Sequence, residues 1–128
     1  MGKYFSESEK HELVQILVKL KPVNYSYSQK LAILQCLDLI IFADGKADDR
    51  EWKWLEMVVM YLDLPVNIMH EAVKLDVKNS INELNLMTPL QKDIFKQVLI
   101  KMVVADGAIA VQETQIISTI FNLLGIKL

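Results

Sequence analysis

Ala43-Asp44-Gly45-Lys46-Ala47-Asp48-Asp49-Arg50-Glu51 returns 62 residues later as Ala105-Asp106-Gly107-Ala108-Ile109-Ala110-Val111-Gln112-Glu113, with the Ala-Asp-Gly triplet and the glutamate kept. Outward from this motif, residues 28–66 align with 90–128 without a gap and share nine identities in 39. Self-similarity of this kind marks one supersecondary unit used twice, its copies stacked to share a core.

The flanking residues say what the unit is. Ser26-x-x-Gln29 and its counterpart Thr88-x-x-Gln91 are capping boxes, and Pro89 stands at a first helical position, where a missing N–H costs nothing. Apolar residues then recur at helical spacing: Leu34, Leu37, Ile40 and Ile41 in the first copy, Ile94, Phe95, Val98, Leu99, Met102 and Val103 in the second. Each long helix runs into Asp-Gly, where glycine can take the left-handed backbone that closes a helix. A second helix follows, with Leu55, Val58, Val59 and Leu62 in one copy and Ile116, Ile117, Ile120, Phe121 and Leu124 in the other, the latter ended by Gly125.

Each repeat is therefore a helical hairpin. Ahead of the first, Ser6-Glu7-Ser8-Glu9 caps a helix through Leu13, Ile16, Leu17 and Leu20, which Lys21-Pro22 should end. Between the copies, Pro65 to Leu75 reads as one helix and Val77 to Leu86 as a shorter one. The expectation is a single domain over residues 1–128, all-α, with about seven helices and an internal pseudo-two-fold repeat.

Composition excludes several classes. Apolar residues make up 52% of the 128, yet the longest apolar runs fall far short of the roughly 20 needed to span a bilayer. Net charge is −2, which gives no electrostatic pull toward nucleic acid. No basic-then-apolar leader opens the chain, and the single cysteine, Cys36, lies in an apolar helical pattern, so a cytoplasmic protein is expected. Met1-Gly2-Lys3-Tyr4-Phe5-Ser6 fits the N-myristoylation pattern, a weak signal.

Asp-Gly-x5-Glu is also the back half of a calcium EF-hand loop. The front half fails: the first and third ligand positions fall on Ile40 and Phe42, and on Met102 and Val104, none with a side-chain oxygen. What remains is a helix–turn–helix corner with carboxylates on both sides. Asp44, Asp48 and Glu51 from the first copy, with Asp106 and Glu113 from the second, could together supply oxygen ligands to a hard divalent ion. Calcium or magnesium suits that set better than zinc. The competing reading is structural. Asp48-x-x-Glu51 resembles a capping box, and Asp44 can bond its own turn. Ala110 replaces the capping aspartate in the second copy while Glu113 is retained, so reciprocal capping does not account for Glu113.

The duplicated Ala-Asp-Gly…Glu element in a small helical chain resembles the TerB-like tellurite-resistance family, a module also found beside J-domains, over about Ser26 to Leu128. That resemblance implies a compact pseudo-symmetric bundle of about seven helices in a cytoplasmic bacterial protein. It further implies acidic residues associated with metal binding, at the matching positions Asp44, Glu51, Asp106 and Glu113, no enzymatic activity, and a link to membrane-associated stress complexes. The chain departs from the pattern at Ala47, and at Ala110 and Val111. It has no His-Pro-Asp tripeptide and hence no J-domain.

Other candidates are weaker. His11 and His70 have no Cys or His at ligand spacing, and Lys74 stands where H-E-x-x-H would need its second histidine. Cys36 has no nearby base. Trp52 and Trp54, two apart on a helix, point about 200° apart, so if one enters the core the other is free to form a partner surface. A wide core covering both is the alternative.

A hydrolase working through paired carboxylates would need a nucleophile that the sequence does not display. The expected function is thus a non-enzymatic TerB-like stress-response module that holds a divalent cation and docks a protein partner, which the resemblance places at a membrane-associated complex. A homodimer is compatible with it. The alternative is a metal-free interaction or oligomerisation scaffold whose acids only cap helices.

Overall fold

The computed structural model describes residues 6–42, 49–104 and 111–126. Among them there is no strand. Seven α-helices follow in order: α1 (Glu7–Leu17), α2 (Tyr27–Ile41), α3 (Asp49–Tyr61), α4 (Met69–Ala72), α5 (Val77–Asn85), α6 (Pro89–Val104) and α7 (Val111–Leu124). No helix is long and apolar enough to cross a membrane among the described residues.

Helix α2 is the hub. It packs against α3, α4, α5, α6 and α7, and Leu31 through Leu37, Ile40 and Ile41 are all buried. A helix buried along most of its length, with little solvated face, runs through the middle of a bundle. The amide of Gln35, buried in the middle of this helix, is satisfied internally: its Nε2 donates to the Leu75 carbonyl, and its Oε1 accepts from the Ser80 hydroxyl. This pair ties α5 and the segment before it to the hub.

The helix starts follow the side chains that the sequence places there. Ser6 and Glu9, and Ser26 and Gln29, close reciprocal capping boxes at the heads of α1 and α2. Thr88 and Gln91 do the same for α6, with backbone–side-chain bonds of 2.9 and 3.1 Å. Gln91 does more: its Nε2 donates to the Val23 carbonyl at 2.7 Å, and its own carbonyl accepts from buried Tyr25 at 2.6 Å. The loop before α2 is thereby fastened to the head of α6, and burial pushes the Tyr25 hydroxyl well above the ordinary tyrosine value.

Two stretches differ from expectation. Helix α1 ends a turn early, at Leu17, where Lys19 and Leu20 bond back to Ile16 and Leu17 in the tighter i→i+3 pattern. Leu20 still reaches the core. The segment from Pro65 to Leu75 is not one helix but a 3₁₀ turn (Val66–Ile68), the single turn of α4, and further i→i+3 bonds to Leu75. The break serves the hub, since the Leu75 carbonyl is spent on Gln35 rather than on a continuing helix.

Helices α3 and α7 stop in the same way. Leu64 N–H bonds the Val59 carbonyl and Ile126 N–H bonds the Phe121 carbonyl, across Asp63 at φ 59° and Gly125 at φ 68°. These are Schellman closures, which need one left-handed residue. Nothing lies within 4 Å of a Cβ added at Gly125, so Gly125→Ala should cost only the backbone term, about 1 kcal/mol. Asp63→Gly should stabilise by a few tenths to about 1 kcal/mol, relieving the same strain against a more flexible unfolded chain. Urea melts of both variants, with opposite signs, test this closure.

Candidate functional site

The candidate ion ligands divide sharply. Asp44, Asp48 and Asp106 lie outside the described residues, as does the side chain of Glu113. Glu51 is described, and it is not a solvated cap: it sits in the first turn of α3 with only 3% of its surface exposed. Withdrawing a carboxylate from water is costly without compensating partners, so the head of α3 is built around this side chain. Its neighbour Arg50 reaches across to Glu9 on α1, forming an ion pair whose Nη2–Oε2 distance is 2.5 Å. The Ser6 backbone N–H and then Arg50 hold the Glu9 carboxyl below the usual glutamate value. Among the described residues no three His, Cys, Asp or Glu side chains gather as a metal set.

The tryptophans separate as their helical angle requires. Trp54 is completely buried and its Nε1 donates to the Val98 carbonyl on α6 at 3.1 Å. The expectation of Trp54 as a partner surface is therefore corrected: the ring is a core side chain joining α3 to α6. Trp52 is half-buried against the same core and meets the Phe42 ring edge-on, with centroids 5.6 Å apart and planes at 74°. Phe42, at the end of α2, is 48% exposed. This aromatic pair beside the acidic corner went unread in the sequence, because Phe42 looked like one more apolar residue of α2.

His11 and His70 are both exposed, each on a helix. Cys36 is buried within α2, and burial pushes its thiol up to about 12, which leaves it an inert core residue.

Asp38, one turn before Phe42, is half-buried, and desolvation raises its carboxyl above the usual aspartate value. A folded-state value above the unfolded one means that stability is fullest where the carboxyl is protonated in both states. It then falls as pH rises through the carboxylate range. Asp38→Asn should accordingly stabilise the protein at neutral pH, with the gain vanishing in acid. Urea denaturation of both proteins at the two pH values reads the difference directly.

A surface concavity of about 410 Å³ lies between the head of α6 and the end of α7, lined by Met87, Pro89, Lys92, Asp93, Lys96, Gly125 and Ile126. Lys92 crosses it to bond the Leu124 carbonyl at 3.0 Å, capping α7.

Comparison with protein-family models, curated proteins and solved structures finds no match to this chain.

Proposed function

We propose that this chain is a non-enzymatic TerB-like module of the cytoplasm, built from two copies of one helical hairpin, whose paired acidic corners hold one divalent cation and which docks a protein partner in a stress response. The observation that carries the ion site is the burial of Glu51, the glutamate of the repeated motif, at the head of α3. A first-turn glutamate already gains from the helix dipole at the surface, so the dipole does not by itself require the burial. One buried to this degree suits an inner ligand of a hard cation.

Several features support the duplication. Helices α2 and α6 begin 62 residues apart, as do α3 and α7. Gln29 and Gln91 close the same capping box. Pairs related by that shift are buried together: Ile33 with Phe95, Cys36 with Val98, Leu37 with Leu99, Val58 with Ile120 and Leu62 with Leu124. Asp63 and Gly125, at matching positions, carry the left-handed residue of matching closures. If the pseudo-two-fold axis relating the hairpins passes close to the two corners, Asp44, Glu51, Asp106 and Glu113 converge on one point, with Asp48 at its edge. The stress-response role rests on the family resemblance of the motif. The metal-free scaffold is favoured by one observation, the first-turn position of Glu51, where the helix dipole alone gives it a use.

Calorimetric titration with calcium, magnesium and zinc distinguishes the two. The expected result is binding of one calcium or magnesium per chain, with a stabilisation of about 2.7 kcal/mol at a hundredfold excess over Kd. Both should be lost in Asp44→Asn/Asp106→Asn. Absence of heat and of any melting shift in the parent protein would leave the scaffold.

A further inference from the structure

The outward face of α3 is unusual for a surface helix. Trp52, Glu56 and Met60 follow one another at i, i+4 and i+8, so they form a single stripe about 12 Å long. Trp52 is fixed by packing on the core and on the Phe42 ring. Met60 is 64% exposed and Phe42 48%. A rigid aromatic anchor and an adaptable thioether at the two ends of a stripe are what a binding surface uses.

The charges around the stripe have one dominant sign. Asp38 lies a turn before Phe42, Asp49 is exposed at the head of α3, and the Glu56 side chain, between the two apolar ends, is 62% exposed. Asp38 and Asp49 make no ion pair with any described residue. Of the basic residues on α3, Arg50 is turned away to Glu9, and Lys53 meets Glu56 at 3.7 Å. A surface i, i+3 pair of that kind contributes little, so an incoming cation can replace it.

We propose that this face, from Phe42 and Trp52 past Glu56 to Met60, docks a short basic amphipathic segment of a partner protein, with apolar side chains on Trp52 and Met60 and a lysine or arginine between them on Glu56. An arginine there can also stack on the Trp52 ring. Among the described residues, the three carboxylates Asp38, Asp49 and Glu56 stand against the one lysine Lys53, which makes the surface select for basic segments and repel acidic ones. Leu86, Leu90 and Leu123 are also exposed, but nothing identifies an occupant for them. The proposal rests on the docking half of the reading above and is independent of the ion.

The test is selection from a library of short random peptides displayed against the full chain. Enriched peptides should carry lysine or arginine flanked by aromatic or long aliphatic residues. They should bind at least tenfold more weakly to Asp49→Lys/Glu56→Lys, whose exposed sites leave the core untouched, and to Trp52→Ala if circular dichroism shows it folded. Enrichment of acidic or wholly apolar peptides, no enrichment, or binding indifferent to the charge reversal would overturn the proposal. Titrating the same peptides with EDTA present keeps the two readings apart. Peptide binding without ion binding removes the cation alone, and ion binding without peptide binding removes the docking face alone.

Discussion

Trp54→Ala is expected to lower the unfolding free energy by about 3–5 kcal/mol and the melting temperature by about 10 °C or more. The indole is wholly enclosed between α3 and α6, beside Val58, Phe95 and Val98 in the same buried cluster. Cutting it to a methyl group leaves a cavity that helices held at both ends cannot close. Its N–H bond to Val98 is a lesser part of the loss, since that carbonyl lies inside α6 and keeps its helical partner. Trp54→Phe, which restores most of the volume but not the N–H, should therefore cost only about 1–2 kcal/mol. Trp52→Ala should be milder than Trp54→Ala, because its ring is half in solvent. Equilibrium urea unfolding of the three variants checks the order.

The second large effect is expected at Gln35. Gln35→Ala removes the oxygen to which the Ser80 hydroxyl donates and the side-chain bond to the Leu75 carbonyl, all within or beside the hub helix. A buried group left without its bond costs about 1–3 kcal/mol, so the substitution should cost about 3 kcal/mol once the lost packing is added. Gln35→Leu keeps the bulk and isolates the polar share. Adding Ser80→Ala to Gln35→Leu should recover part of the loss, because the stranded hydroxyl is then gone. A double-mutant cycle that shows strict additivity would deny the coupling.

These two residues also mark where sequence reading succeeds and where it stops. Caps were legible, because Ser6 with Glu9, Ser26 with Gln29 and Thr88 with Gln91 act within four residues of themselves. The opposite directions of Trp52 and Trp54 were legible from helical pitch, though not which of them faces in. Gln35 was not. It is identical to Gln97 in the repeat, yet Gln35 is sealed in the hub while Gln97 lies half-exposed, accepting from Lys19 and donating to Asp93. Identity at a repeat position records ancestry or geometry, whereas burial depends on which neighbours the rest of the chain supplies.

The split of Pro65–Leu75 was hidden for a related reason. Ile68, Ala72 and Leu75 have helical spacing, and only the distant amide of Gln35 shows why the last turn tightens. Asp63 was missed because the left-handed position was sought at glycines, whereas aspartate tolerates it at moderate cost. Of the candidate ion ligands, the sequence supplied all five, and the burial of Glu51 added a distinction that periodicity could not make, since its helical neighbours Arg50 and Trp52 are only half-buried. The Phe42–Trp52 contact required two helices to be placed, and no local pattern announces it.

The most direct measurement is anomalous diffraction from crystals grown with manganese, an oxygen-loving stand-in for calcium or magnesium. A shared cation site predicts one strong peak at bonding distance from carboxylates of both corners, Glu51 and Glu113 among them. Asp44 and Asp106 on opposite sides of the molecule, or a peak that touches neither motif, would contradict it.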